Sequence, residues 1–111
     1  MTVTDLASQL NLKPLAGLEG AHNEVTSCYA GDLLSWVMGR AKEGSVWLTV
    51  MGNINAVAVA TLADCACIVL TENAPLDEDA RLRADMQNVP IYSTEYNAFE
   101  MSVKIAALLN L

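Results

Sequence analysis

Apolar strands alternating with amphipathic helices predict an α/β fold: a single small domain, residues 1–111, with a mostly parallel sheet of about four to five strands flanked by helices. Two further observations support that class. Capping signals stand where each helix would begin. A chain of 111 residues that is 53% hydrophobic and 17% charged has material for one core and not two.

The elements follow in order. Thr2 and Asp5 form a capping box, and Leu6 and Leu10 share a face, which predicts a short helix over 3–10. Lys13–Gly17 reads as a brief strand, Gly17–Asn23 as a loop and Val25–Tyr29 as a second extended segment. Gly31-Asp32 then breaks the chain, with Asp32 placed to cap a helix over about 33–42. Leu33, Leu34, Val37, Met38 and Ala41 would line one face of it, and Gly44 would stop it. Ser45–Met51 is an unbroken run of β-formers, and Gly52-Asn53 turns the chain. Ile54–Ala63 reads as a helix in which Ala56, Ala58 and Ala60 allow close packing. Ala66–Leu70 reads as a strand buried on both faces.

After the loop Thr71–Pro75, acidic Asp77-Glu78-Asp79 opens another helix, where the helix dipole favours negative charge. Val89–Tyr92 is a short strand with Pro90 near its start. Asn97 and Glu100 form a second capping box, with Tyr96 and Met101 in hydrophobic-staple positions, and the last helix runs to about Leu109.

Charge excludes several partners. Six Lys and Arg against thirteen Asp and Glu give a net charge of −7, which disfavours nucleic acid and anionic membrane surfaces. The most apolar stretch, Ile54–Leu70, is short for a span and carries Asn55, Thr61 and Asp64, so no membrane segment is expected. Three cysteines without a secretory leader point to a reducing cytoplasm.

In a parallel sheet, ligands bind beyond the carboxyl ends of the strands. The loops expected there are Cys28–Asp32, Gly52–Asn55, Thr71–Asn73 and Ser93–Glu95, and none holds a Lys or Arg. Neither a Walker cradle nor a dinucleotide fingerprint is present, so kinase and nucleotide-hydrolase chemistry is not expected. Cys28 and His22 can be drawn as nucleophile and base, but no third orienting group is specified. Cys65-Ala66-Cys67 at a strand start places both sulfurs on the same face, since side chains alternate, and with Cys28 they offer three thiolates to zinc or an iron–sulfur cluster. Burial as small hydrophobes is the plainer role. Trp36, Trp47 and Tyr29 fit either a stacking surface or core and interface positions. A mean hydropathy of +0.31 is high for so small a chain, and a twofold homodimer would cover the surplus.

Val50–Asn73 followed by Val89–Thr94 resembles the DRTGG domain, and Cys28–Met38 resembles its short stand-alone members. The likeness runs over about residues 13–109 and implies a fold similar to the N-terminal domain of HPr kinase/phosphorylase. The family's Gly-Asp-Arg corresponds to Gly52-Asn53-Ile54 and its Thr-Gly-Gly to Thr71-Glu72-Asn73, so only Gly52 and Thr71 are kept. Family members occur beside nucleotide-sensing CBS domains and kinase domains as non-catalytic regulatory or dimerising modules.

The expectation is therefore a cytoplasmic, dimeric module with a regulatory or ligand-sensing role, no catalysis of its own and no cofactor. Tyr29, Asp32, Gly52, Asn53, Asn55 and Thr71 are the candidate ligand residues. A purely structural interaction protein and a metal carrier using Cys28, Cys65 and Cys67 are the alternatives.

Overall fold

The computed structural model describes residues 1–111, which form five helices and five strands. They are α1 (Val3–Leu10), β1 (Lys13–Ala16), β2 (Ser27–Ala30), α2 (Leu34–Arg40), β3 (Ser45–Thr49), α3 (Ile54–Leu62), β4 (Cys67–Leu70), α4 (Glu78–Gln87), β5 (Ile91–Ser93) and α5 (Ala98–Leu109). A short 3-10 turn, Leu18–Gly20, interrupts the loop after β1. The strands make one five-stranded sheet in the order β1-β5-β4-β3-β2. Strands β2 to β5 run parallel, and β1 joins the β5 edge antiparallel.

From β2 to β5 the chain steps across the sheet in one direction. Right-handed crossovers then put α2, α3 and α4 on the same face. There Val37, Ala56, Val57, Ala60, Ala80 and Ala84 pack on Trp47, Ile68 and Leu70. After β5 the chain passes to the other face, where α5 joins α1. Val3, Leu6, Met101 and Ile105, all 0% exposed, pack there on Val46, Cys67 and Val69. Burying each such large apolar side chain contributes about 1.5–3 kcal/mol, so both faces hold the sheet.

The caps read from sequence are present at both ends of the chain. The Asp5 amide donates to the Thr2 hydroxyl at 3.2 Å while the Thr2 amide donates to the Asp5 carboxylate at 3.1 Å. Those bonds hold the Asp5 carboxyl below the usual carboxylate range. Asn97 and Glu100 repeat the exchange at α5, at 2.9 and 3.2 Å, and Tyr96 and Met101 pack in one cluster as the staple requires.

Several local expectations are corrected. Helix α2 covers 34–40 rather than 33–42, and its N-cap is Leu33, with no side-chain cap bond from Asp32. It ends because Ala41 turns extended at ψ 131°, before Gly44 is reached. Of its expected apolar face, Val37 is buried and Leu34 half-buried, while Leu33 and Met38 point to solvent. Ala58 is exposed; Ala56 and Ala60 make the close packing of α3. The second extended segment is Ser27–Ala30, two residues later than its expected start.

Candidate functional site

Four parallel strands end on one rim, and their exits build the site. At β2, the Gly31 amide donates to the Leu48 carbonyl at 3.1 Å, and the Trp47 indole N–H donates to the Gly31 carbonyl at 2.9 Å. Asp32 then turns back over β3. Its carboxylate accepts from the Thr49 hydroxyl at 2.7 Å and from the Val50 amide at 3.0 Å. The same Thr49 oxygen accepts from the Met51 amide at 3.1 Å. Asp32 thus staples the end of β3, which is why it is not free to cap α2.

The exit of β4 is held differently. Glu72 and Asn73 both sit in the left-handed region, at φ 56° and 54°. Their amides donate across to the β5 exit, Glu72 to the Tyr96 carbonyl at 3.0 Å and Asn73 to the Thr94 carbonyl at 2.9 Å. Here the chain leaves β4 for one face of the sheet and β5 for the other, the kind of divergence that opens a crevice in α/β folds.

Two clefts open on this rim, one on each side of the β4–β5 exits. The smaller, about 190 Å³, is lined by Gly31, Asp32, Thr49, Thr71, Glu72 and Ala98 among others. Thr71 is 1% exposed, and its hydroxyl has no hydrogen-bond partner in the protein. No fully occluded side-chain oxygen in the chain lacks a partner, so that hydroxyl keeps contact with the cleft. Ala98 is the first residue of α5, and the amides of Ala98 and Phe99 donate to no group in the protein. A nearly buried hydroxyl, free helix-start amides and two carboxylates give the cleft both donors and acceptors.

The larger cleft, about 430 Å³, lies against β1, β5, the end of α1 and α5. Lys13 and Lys104 line it together with Asn11, Asn73, Ser93 and Glu95. The rim loops themselves carry no cation, as read from sequence. The lysines come from elements whose placement the sequence left open: an antiparallel edge strand that starts at this rim, and the outer part of α5.

Of the six candidate ligand residues, Asp32 and Thr71 come together in the smaller cleft; the other four do not. Tyr29 lies on β2 beside Trp47 and packs into the α2–α3–α4 face. Gly52 is pressed against the loop before α4: a Cβ there would stand 1.9 Å from the Pro75 carbonyl oxygen. Asn53 spends its side chain as the N-cap of α3, accepting from the Ala56 amide at 2.9 Å. Asn55 is exposed in the first turn of α3 and lines neither rim cleft.

The thiols do not gather into a metal site. Cys67 packs on the α1–α5 face and Cys65 on the α2–α3–α4 face. Cys65 precedes the strand and follows Asp64 at φ 58°, so the alternation that would have put both sulfurs on one side does not apply. Burial pushes the Cys28 and Cys65 thiols each up to about 11, and burial raises Cys67 further. Protonated thiols are poor ligands and poor nucleophiles. No group of three or more His, Cys, Asp or Glu is placed to hold a metal, which removes the support for the metal-carrier alternative. His22 lines a cleft with Asp64, Cys65 and Gln87, before the start of β4, and Cys28 is not among its neighbours there. Nor do the aromatics form one surface: Trp47 is wholly buried, while exposed Trp36 lies under Arg40 at 3.7 Å.

A parallel sheet stepping in one direction, with an antiparallel edge and a crevice where its last two exits diverge, defines a small α/β domain with helices on both faces. The chain belongs to the DRTGG domain family, whose model matches residues 5–108. No curated protein sequence matches it. Among solved structures, it is similar to the CBS and DRTGG domains of the regulatory region of Clostridium perfringens pyrophosphatase, complexed with the activator diadenosine tetraphosphate. That likeness has a TM-score of 0.69 at 10% identity, covers 92% of this chain and shows a shared fold. The present chain accounts for 44% of that structure's length. No helix of this chain is long and apolar enough to cross a membrane.

Proposed function

We propose that this chain is a non-catalytic regulatory module that senses a small polar ligand at the carboxyl rim of its sheet and works as a homodimer. One observation carries the sensing role: the Thr71 hydroxyl, nearly buried and without a protein partner, faces the cleft that also holds Asp32 and the open start of α5. A hydroxyl that touches the cleft and bonds to no protein group is free to bond a ligand there. Family membership supports the regulatory role, as does the similar pyrophosphatase structure, itself a regulatory region bound to an activator. Three free thiols suit a reducing cytoplasm. Exposed Leu62, Leu82 and Met86 on the neighbouring helices α3 and α4 are apolar surface on one face that a second copy would cover.

Calorimetric titration with nucleotides, acyl phosphates and sugar phosphates tests the sensing role. The expected result is that at least one class gives saturable heat that is lost in Thr71→Val, a change that keeps the side chain's shape. No heat from any class, or no class whose heat depends on Thr71, would overturn the smaller cleft as the sensor. Ultracentrifugation with and without the active compound tests assembly: a sensor shifts its monomer–dimer balance, whereas a scaffold keeps one state throughout.

A further inference from the structure

The larger rim cleft is chemically unlike the rest of the molecule. The chain carries six Lys and Arg against thirteen acids. Arg81 is spent on Glu78 and Asp85, and Arg40 lies over Trp36. Lys13 and Lys104 converge on this cleft, and neither takes part in an ion pair. Lys104 is positioned rather than loose, its ammonium 4.7 Å from the centre of the Tyr96 ring, an attraction that orients the charge. Lys13 reaches the rim because β1 runs against its neighbours, which brings the start of that strand level with Ser93 at the end of β5. Ser93 is 9% exposed, and its hydroxyl has no hydrogen-bond partner in the protein. Asn11 and Asn73 add side-chain amides that bond to nothing else, and Glu95 supplies the single carboxylate.

We infer that this cleft binds the phosphate group of a small phosphorylated polyol, with Lys13 and Lys104 on the phosphate and Glu95 accepting from the polyol's hydroxyls. Two separate ammonium groups and the free Ser93 hydroxyl favour a ligand group with several acceptor oxygens. A phosphate monoester carries about −1.5 to −2 at neutral pH on three strong acceptor oxygens, enough to engage both lysines at once while Glu95 faces the polyol's hydroxyls. Lysine binds phosphate as a point charge and needs no forked geometry. The chain's overall negative charge opposes approach, but screening confines that repulsion to about 8 Å at physiological salt, so the local pair governs binding. A cleft of about 430 Å³ falls in the usual range for small-molecule sites.

Amide chemical-shift titration of the full chain tests this with inorganic phosphate, glucose 6-phosphate, glucose and acetate as probes. The expected result is saturable shifts from phosphate and glucose 6-phosphate centred on Asn11, Lys13, Asn73 and Lys104, tighter for the sugar phosphate. Glucose and acetate should give none. Lys13→Met and Lys104→Met should each weaken glucose 6-phosphate by about tenfold or more, the scale expected for a charge-assisted contact. Both lysines are exposed, so an unchanged spectrum away from the cleft confirms that the variants fold. Three results would overturn the site: no saturable shift from either phosphate, acetate equal to phosphate, or shifts that survive the double substitution. Shifts at Gly31, Thr71 and Ala98 instead would also overturn it, while favouring the smaller cleft.

Discussion

The turns after β3 and β4 leave the same rim one strand apart, and both hold residues that the sequence marks as ligand candidates, yet they do opposite work. The β3 turn is wholly taken up by the fold. Gly52 lies under the Pro75 carbonyl, its own carbonyl accepts from the Asp77 amide at 2.8 Å, and Asn53 caps α3. The β4 turn holds two left-handed residues, and its one nearly buried hydroxyl is idle. Position at a strand exit therefore does not make a residue functional. What separates the two turns is whether their polar groups are already spent.

The strongest way to break that contrast is at Gly52. A Cβ at this position meets backbone, the Pro75 carbonyl oxygen at 1.9 Å, and no flexible side chain can swing aside. Gly52→Ala is expected to destabilise the chain by about 3 kcal/mol, the upper end for overpacking, with a fall in Tm of more than about 10 °C in a domain of this size. Gly39 supplies the control: nothing lies within 4 Å of its Cβ position, and Gly39→Ala in α2 should stabilise by about 0.5–1 kcal/mol. Equal effects from both substitutions would mean that Gly52 is not a packing residue.

Asp32 comes next. Asp32→Ala removes the acceptor of both the Thr49 hydroxyl and the Val50 amide, and Thr49 is 2% exposed, so its hydroxyl proton loses its acceptor in a buried place while its oxygen keeps the Met51 amide. Asp32 itself faces solvent, which lowers the worth of its charge. A loss of about 1–2 kcal/mol in urea unfolding is expected, and Asp32→Asn should recover part of it by keeping one acceptor oxygen. A neutral Asp32→Ala would show that the staple is ornamental and the carboxylate available to a ligand.

The fold was far more legible than the site, for a physical reason. Strand and helix patterns, capping boxes at Thr2–Asp5 and Asn97–Glu100, and the staple from Tyr96 to Met101 are local, and local spacing encodes them. Asp32 shows the limit. Its position before a helix predicts a cap, but β3 presents a hydroxyl and an amide that compete for the same carboxylate, and no sequence window contains that competitor. The same holds for the thiols, since one left-handed residue, Asp64, defeats the alternation that would pair Cys65 with Cys67. Lys13 and Lys104 escaped notice because they join the rim through an antiparallel edge and a helix on the far face. The one signal for them was arithmetic: the chain has only six Lys and Arg, so any two that share a cleft stand out.

A smaller effect separates the turns at Asn53. Its side chain accepts from the Ala56 amide at 2.9 Å, the ordinary N-cap bond, so Asn53→Ala should cost about 1 kcal/mol and Asn53→Asp almost nothing. Ligand heats should be unaltered in both. A change in heat with either would return Asn53 to the site, where its place after β3 first suggests it.

The finest test lies in the β4 turn, at Glu72. The left-handed conformation costs a residue with a Cβ about 1–2 kcal/mol, less for asparagine, whose short side chain tolerates it. Glu72 at φ 56° therefore bears more of that cost than Asn73 at φ 54°. Glycine relieves the strain but loses more freedom on folding, by about 0.5–1 kcal/mol, so Glu72→Gly should gain no more than about 1 kcal/mol and Asn73→Gly should stay near zero. Urea midpoints at an unchanged m-value would read the difference. A destabilised Glu72→Gly would mean that the Glu72 side chain holds the turn through contacts worth more than its backbone strain, and the β4 exit would then be tied into the fold no less than the exit of β3.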